Sequence, residues 1–231
     1  RDADAAGDTS VDVIAAGLRL FAGASIGVAL NNGALETQVG TLSARAGSGG
    51  MFLAETDAVT IGDVSVTVQR VDTAAALSAV VDATQSDLRS SAALTPIILV
   101  AGGTITLTEG SDADGVAVQG FGTSTILLKS GGGIIAHANA DSVASTGRIS
   151  AIAAGSQTYA AGADIISTNA TIDVEATAGS ITQSNTSRFV SQQSIRVFAN
   201  VDVTVGYIQA TANVGITATT GSIIDAGAFG A

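Results

Sequence analysis

Four isoleucines, Ile126, Ile149, Ile172 and Ile195, follow one another at identical intervals of 23 residues, and each opens a short β-type run. A constant interval of this length is the signature of a repeat architecture, and it constrains the fold more than any other feature of the chain. Extending the template upstream to Ile105 and downstream to Val214 adds intervals of 21 and 19 residues, so that Ile105, Ile126, Ile149, Ile172, Ile195 and Val214 read as one core ladder. A second apolar site follows about nine residues later, at Ile134, Tyr159, Ile181, Val203 and Ile223. A looser third falls at Val143, Ile165, Phe189, Ile208 and Phe229. Each period therefore holds two or three short strands joined by Gly-rich turns, and leaves no room for a helix of ordinary length.

The first half follows the same grammar less regularly. Leu18, Leu42 and Val64 stand 24 and 22 residues apart, and Val59-Thr-Ile-Gly-Asp-Val-Ser parallels Val203-Thr-Val-Gly-Tyr-Ile-Gln position by position. Between Val64 and Ile105 the text changes character. Leu77, Val80, Val81 and Leu88 have possible helical spacing there, and Pro96 would stop a helix before Ile97 resumes the β pattern. Residues 69–94 are therefore expected to form a loop or hairpin projecting from the repeat, the alternative being an ordinary coil with a degenerate pattern.

Few architectures accept this period. A leucine-rich repeat would need its Leu-x-x-Leu-x-Leu consensus, and a propeller blade roughly 40 residues; an immunoglobulin-like sandwich would show longer strands with aromatic anchors. An all-β, right-handed parallel β-helix with about 19–24 residues per coil and one protruding insertion fits, the hand following from the general chirality of parallel crossovers. The expected unit is a single β-solenoid module over residues 1–231, nine or ten coils deep. Composition agrees: aromatic residues are 3% and charged residues 13%, so the apolar 46% is mostly small and branched, which suits a narrow core of stacked side chains.

The net charge of −11, with Lys129 the only lysine, argues against nucleic acid and anionic membrane surfaces as partners, because both are bound through Lys and Arg. No apolar run approaches the ~20 residues of a membrane helix. The absence of Cys removes disulfides and thiolate metal sites from consideration. Arg1 is followed by acidic residues rather than by a basic and then apolar leader, so the chain reads as a slice of something longer or a processed product. Repeat text begins by Asp12-Val13-Ile14 and still runs at Ser222-Ile-Ile-Asp, so uncapped terminal coils are expected to associate end to end with adjacent repeats or with other copies of the chain.

Phrases such as Gly103-Thr-Ile-Thr-Leu-Thr, Thr171-Ile-Asp-Val-Glu-Ala-Thr-Ala-Gly-Ser-Ile-Thr and Val214-Gly-Ile-Thr-Ala-Thr-Thr-Gly-Ser-Ile-Ile-Asp resemble the repeats of giant bacterial surface proteins of the filamentous haemagglutinin type. The resemblance covers most of the chain outside residues 69–94. It implies secretion, a long right-handed β-helical shaft, and a role in adhesion, aggregation or a cell-surface coat. It carries over no catalytic residues.

The sharpest chemical hint is Glu109-Gly-Ser-Asp112-Ala-Asp114-Gly, which places three carboxylates in one Gly-bounded turn of the kind calcium can use. The plain alternative is a solvated turn, since neither an EF-hand nor an iterated calcium nonapeptide is present. Asp2, Asp4 and Asp8 form a weaker group of the same kind. His137 stands alone and reads as a turn residue. A polysaccharide lyase or hydrolase would need an open groove with catalytic carboxylates and sugar-binding aromatics. With two tyrosines, no tryptophan and scattered arginines, the sequence points away from an enzyme. It points instead to a structural module of an extracellular fibre, adhesin or coat, with a receptor- or glycan-binding module as the nearest alternative.

Overall fold

The computed structural model describes residues 10–29, 33–144 and 146–228. Among them there is no helix. A single 23-stranded sheet, parallel at every pairing, winds into a right-handed β-helix, and the remaining two strands form a separate antiparallel pair. Each regular coil contributes one strand to each of three walls, because turns too short to form a second layer carry the chain straight from one wall to the next.

The first wall is built on the expected ladder, with one correction. Met51, Ile97, Ile126, Ile149, Ile172, Ile195 and Val214 are successive partners. Ile105 does not belong to it: its partners are Val59 and Ile134 on the second wall. Its 21-residue distance from Ile126 imitates the period, because Ile97 and Ile105 are both buried isoleucines of one coil. The true interval from Ile97 to Ile126 is 29 residues, since that coil carries the enlarged turn around Glu109–Gly115, and it exceeds the expected range of 19–24. Within the first wall the inward residues shrink toward the next corner. Ile172, Val174 and Ala176 on one coil match Ile195, Val197 and Ala199 on the next, so the taper itself forms three stacked ladders.

On the second wall, the strands Val13–Ala22, Leu35–Ala46, Val59–Ile61, Ile105–Leu107, Ile134–Ala136, Gln157–Tyr159, Ile181–Gln183, Val203–Val205 and Ile223–Asp225 stack nine deep. At the parallel-sheet spacing this is a stack about 40 Å long. Gln157, not Tyr159, is the partner of Ile134 and Ile181. A glutamine can occupy this rung because its polar atoms are all met: Nε2 donates to the Ala151 and Glu175 carbonyls at 3.0 and 2.7 Å, and Oε1 accepts the Tyr159 hydroxyl at 2.6 Å. The third wall joins Leu88–Ser90, Val116–Gly120, Asp141–Ala144, Ile165–Ser167, Arg188–Ser191 and Tyr207–Ala210. There Ser142 rather than Val143 is the partner of Ile165, which continues to Phe189 and Ile208 as expected. Phe229 lies outside the described residues.

Leu42 continues to Ile61, not to Val64. From Val64 the chain leaves the wall as an antiparallel hairpin, Val64–Val71 and Leu77–Gln85, and returns at Leu88–Ser90 as an ordinary rung. The projecting segment is thus a hairpin over residues 64–85 rather than 69–94, and the apparent helical spacing of Leu77, Val80 and Val81 belongs to a largely exposed strand. The hairpin escaped the period because its two strands pair with each other and make no ladder with the coil above or below.

The corners are fastened by side chains that accept the next coil's amide. Ser156 Oγ accepts from Ser180 N, Ser180 Oγ from Asp202 N, and Asp202 Oδ1 from Ser222 N, at 3.1, 3.2 and 2.7 Å. Each such bond satisfies a turn N–H that the ladder cannot reach. Gly50 is required where its coil enters the first wall: its φ is +74°, and a Cβ there would run into the Pro96 carbonyl.

Candidate functional site

The enlarged turn predicted to gather carboxylates does so, with a different membership. Asp112 and Asp114 converge with Asp87, and one oxygen of each lies within 4.8 Å of the others. Glu109 instead accepts the Gly115 amide at 2.7 Å through Oε1, closing the loop on itself. At the centre of the three aspartates is Arg89. Its guanidinium meets Asp87 at 2.9 Å and Asp112 at 3.4 Å, contacts Asp114, and donates to Gln119 Oε1 at 3.1 Å. Asp87 and Arg89 were invisible as site residues in the sequence because the stretch containing them reads as excursion. The available signal was Asp87-Leu88-Arg89, two charged residues flanking an inward Leu at strand spacing.

Asp87 is the most stressed group in this cluster. Its side chain is fully buried, its backbone is left-handed with φ +66°, and Oδ1 has no hydrogen-bond partner. Burial pushes its carboxyl up to about 7, against the opposing pull of Arg89, with Asp112 and Asp114 adding to the rise. Carboxylates arranged in this way offer oxygen ligands to a hard cation, but Arg89 already supplies a positive charge to the same oxygens. Asp2, Asp4 and Asp8 lie outside the described residues.

Alongside runs an open groove of about 530 Å³ lined by Glu109, Asp114, Asn139, Asp141, Asp164 and Arg188. Burial raises the Asp141 carboxyl to about 6, reinforced by Asp164 and Glu109. Two neighbouring carboxyls, one of them raised, are the kind of pair that glycoside hydrolysis uses. In this groove, however, both aspartates are engaged as corner fasteners. Asp141 Oδ1 accepts the Asp164 amide at 2.9 Å, Asp164 Oδ1 accepts the Arg188 amide at 2.7 Å, and Asp164 Oδ2 is held by the Arg188 guanidinium at 2.5 Å. Asp141 and Asp164 stand one coil apart, and each accepts the amide of the coil that follows. His137 is exposed in a turn, with its amide donating to the Leu107 carbonyl at 3.0 Å.

The other distinctive surface is the last described coil. Val214 and Ile223 occupy the positions that are buried in every preceding regular coil, yet they are 43% and 57% exposed, and Ile224 is 44% exposed. The coil's outer backbone edge has no partner strand among the described residues. Comparison of the chain with family models, curated proteins and solved structures finds no match.

Proposed function

We propose that this chain is a structural module of an extracellular bacterial fibre, adhesin or surface coat, with no enzymatic role, in which the β-helix serves as shaft and spacer. The observation that carries this reading is the unbroken stack of parallel coils with continuous side-chain ladders. On the last described coil, the ladder residues Val214 and Ile223 present apolar surface and an open parallel edge in register with the coils beneath. Such an edge templates another strand, and in a solenoid the next coil is the natural occupant. A shaft of this kind acts through geometry: length grows with every coil, and side-chain ladders resist shear. The extracellular placement rests on the resemblance of the repeat text and on the acidic, lysine-poor composition.

Electron microscopy of the purified chain tests the reading. Rods joined end to end, with an axial repeat near the length of one stack, are expected. Replacing Val214 and Ile223 by Lys should shorten them, because two charges would then face the joint. Single rods at all concentrations, indifferent to those replacements, would remove the support for end-to-end stacking.

A further inference from the structure

The last residues of Val13–Ala22 and Leu35–Ala46 run on from the second wall onto the third, where Phe21, Arg45, Arg89 and Gln119 face outward on successive rungs in direct register. They line a cleft of about 390 Å³ to which Phe121 and Ser91 also contribute. Three of the four large groups here have evident tasks or ordinary environments. Arg89 is neutralised by Asp87, Asp112 and Asp114, and Gln119 accepts from Arg89. Arg45 differs: among the described residues it has no ion pair or hydrogen bond, and its Nε is buried without a partner. In a chain with 20 acidic and 9 basic residues, a half-buried arginine left without a carboxylate is unexpected. A guanidinium withdrawn from water needs an acceptor more than an exposed one does.

We propose that this cleft binds a small monocarboxylate with a flat apolar body, held by Arg45 and flanked by Phe21 and Phe121. The planar guanidinium matches a carboxylate in shape and charge. The amide of Gln119, whose oxygen is committed to Arg89, keeps its N–H donors for a second contact. Phe21 and Phe121 are 72% and 57% exposed on the two sides of the cleft and offer faces to an aromatic or cyclic body. Of the cleft's two described cations only Arg45 is unspent, and three aspartates stand behind Arg89, so a single negative charge is favoured over a dianion. The volume suits one ring with its substituent. This inference is independent of the end-to-end stacking proposed above, because the cleft lies on the side of the stack.

Titration of the full chain with benzoate, followed by calorimetry or ligand-observed NMR, tests it, with benzamide as the neutral isostere and phenylphosphonate as the dianion. Saturable benzoate binding is expected, with benzamide and phenylphosphonate weaker by about tenfold or more. Arg45→Gln should reduce benzoate affinity by a similar factor. Phe121→Ala changes an exposed side chain and should fold normally while losing affinity several-fold, so the proposal stays testable if Arg45→Gln misfolds. No saturable benzoate binding, equal binding of benzamide, or full affinity in folded Arg45→Gln would overturn it.

Discussion

The ring of Phe189 meets that of Tyr159 edge to face, with centroids 4.9 Å apart and planes at 84°. Phe189 comes from the third wall and Tyr159 from the second, so this contact crosses the solenoid interior where most other positions hold aliphatic side chains. Both residues are buried, and the Tyr159 hydroxyl is spent on Gln157, itself fully buried on the neighbouring rung position.

Truncating this contact should cost more than any other single change in the regular coils. Phe189→Ala is expected to destabilise by about 3–5 kcal/mol, through lost burial and an interior cavity. Tyr159→Phe keeps the packing but strips Gln157 Oε1 of its donor, a loss of about 1–3 kcal/mol. Chemical denaturation with a two-state check measures both, and the larger loss should belong to Phe189→Ala.

Stability should fall as pH rises from about 4 to about 7. Asp87 ionises near 3.8 in the unfolded chain and at about 7 when folded, so the folded state binds the extra proton in that window. Asp141, raised to about 6, acts in the same direction. Their contribution is fully present below the unfolded value and lost above the folded one, for a total on the order of a few kcal/mol. Asp87→Asn removes the larger part of this slope. Thermal melts of both proteins across the window provide the measurement, and an unchanged slope in Asp87→Asn would show that the dependence arises elsewhere.

Removing Arg89 should expose the charge problem it solves. In Arg89→Gln, three aspartates converge without a cation; Asp87 should take up a proton at neutral pH rather than stay charged, which limits the cost to about 1–3 kcal/mol for the hydrogen bonds lost. The loss should shrink near pH 5, where Asp87 is protonated in the parent chain as well. Calcium should raise the melting temperature of Arg89→Gln more than that of the parent chain, because the ion would then no longer compete with a guanidinium for the same oxygens.

The hairpin over residues 64–85 should be dispensable for folding. Val64 and Gln85 are cross-strand partners, so a short Gly-Ser turn can join them without disturbing the walls. Both should be kept, since Val64 is buried and Gln85 donates to the Leu20 carbonyl at 2.9 Å and Ser43 Oγ at 3.0 Å. The shortened chain is expected to melt cooperatively with its β circular dichroism intact. Global unfolding would instead make the hairpin part of the core.

The sequence by itself determined the class of fold and the rungs from Ile126 to Val214, because a parallel β-helix writes its own period: residues stacked in space must recur at the length of one coil. It also pointed to the Asp112 and Asp114 turn and to an outgrowth in the first half. Only the tertiary structure decided which isoleucine begins which ladder. Ile105 and Ile97 are equally apolar, and a longer turn shifted the interval enough for the wrong one to fit. Burial of Gln157 in place of Tyr159 could not be seen either, because its acceptability depends on carbonyls and a hydroxyl brought from other positions. The same limit hid the Asp87–Arg89 centre and the Arg45 cleft. Their members come from rungs about 24 to 44 residues apart, and whether a charge is met by its opposite depends on those neighbours across the coils.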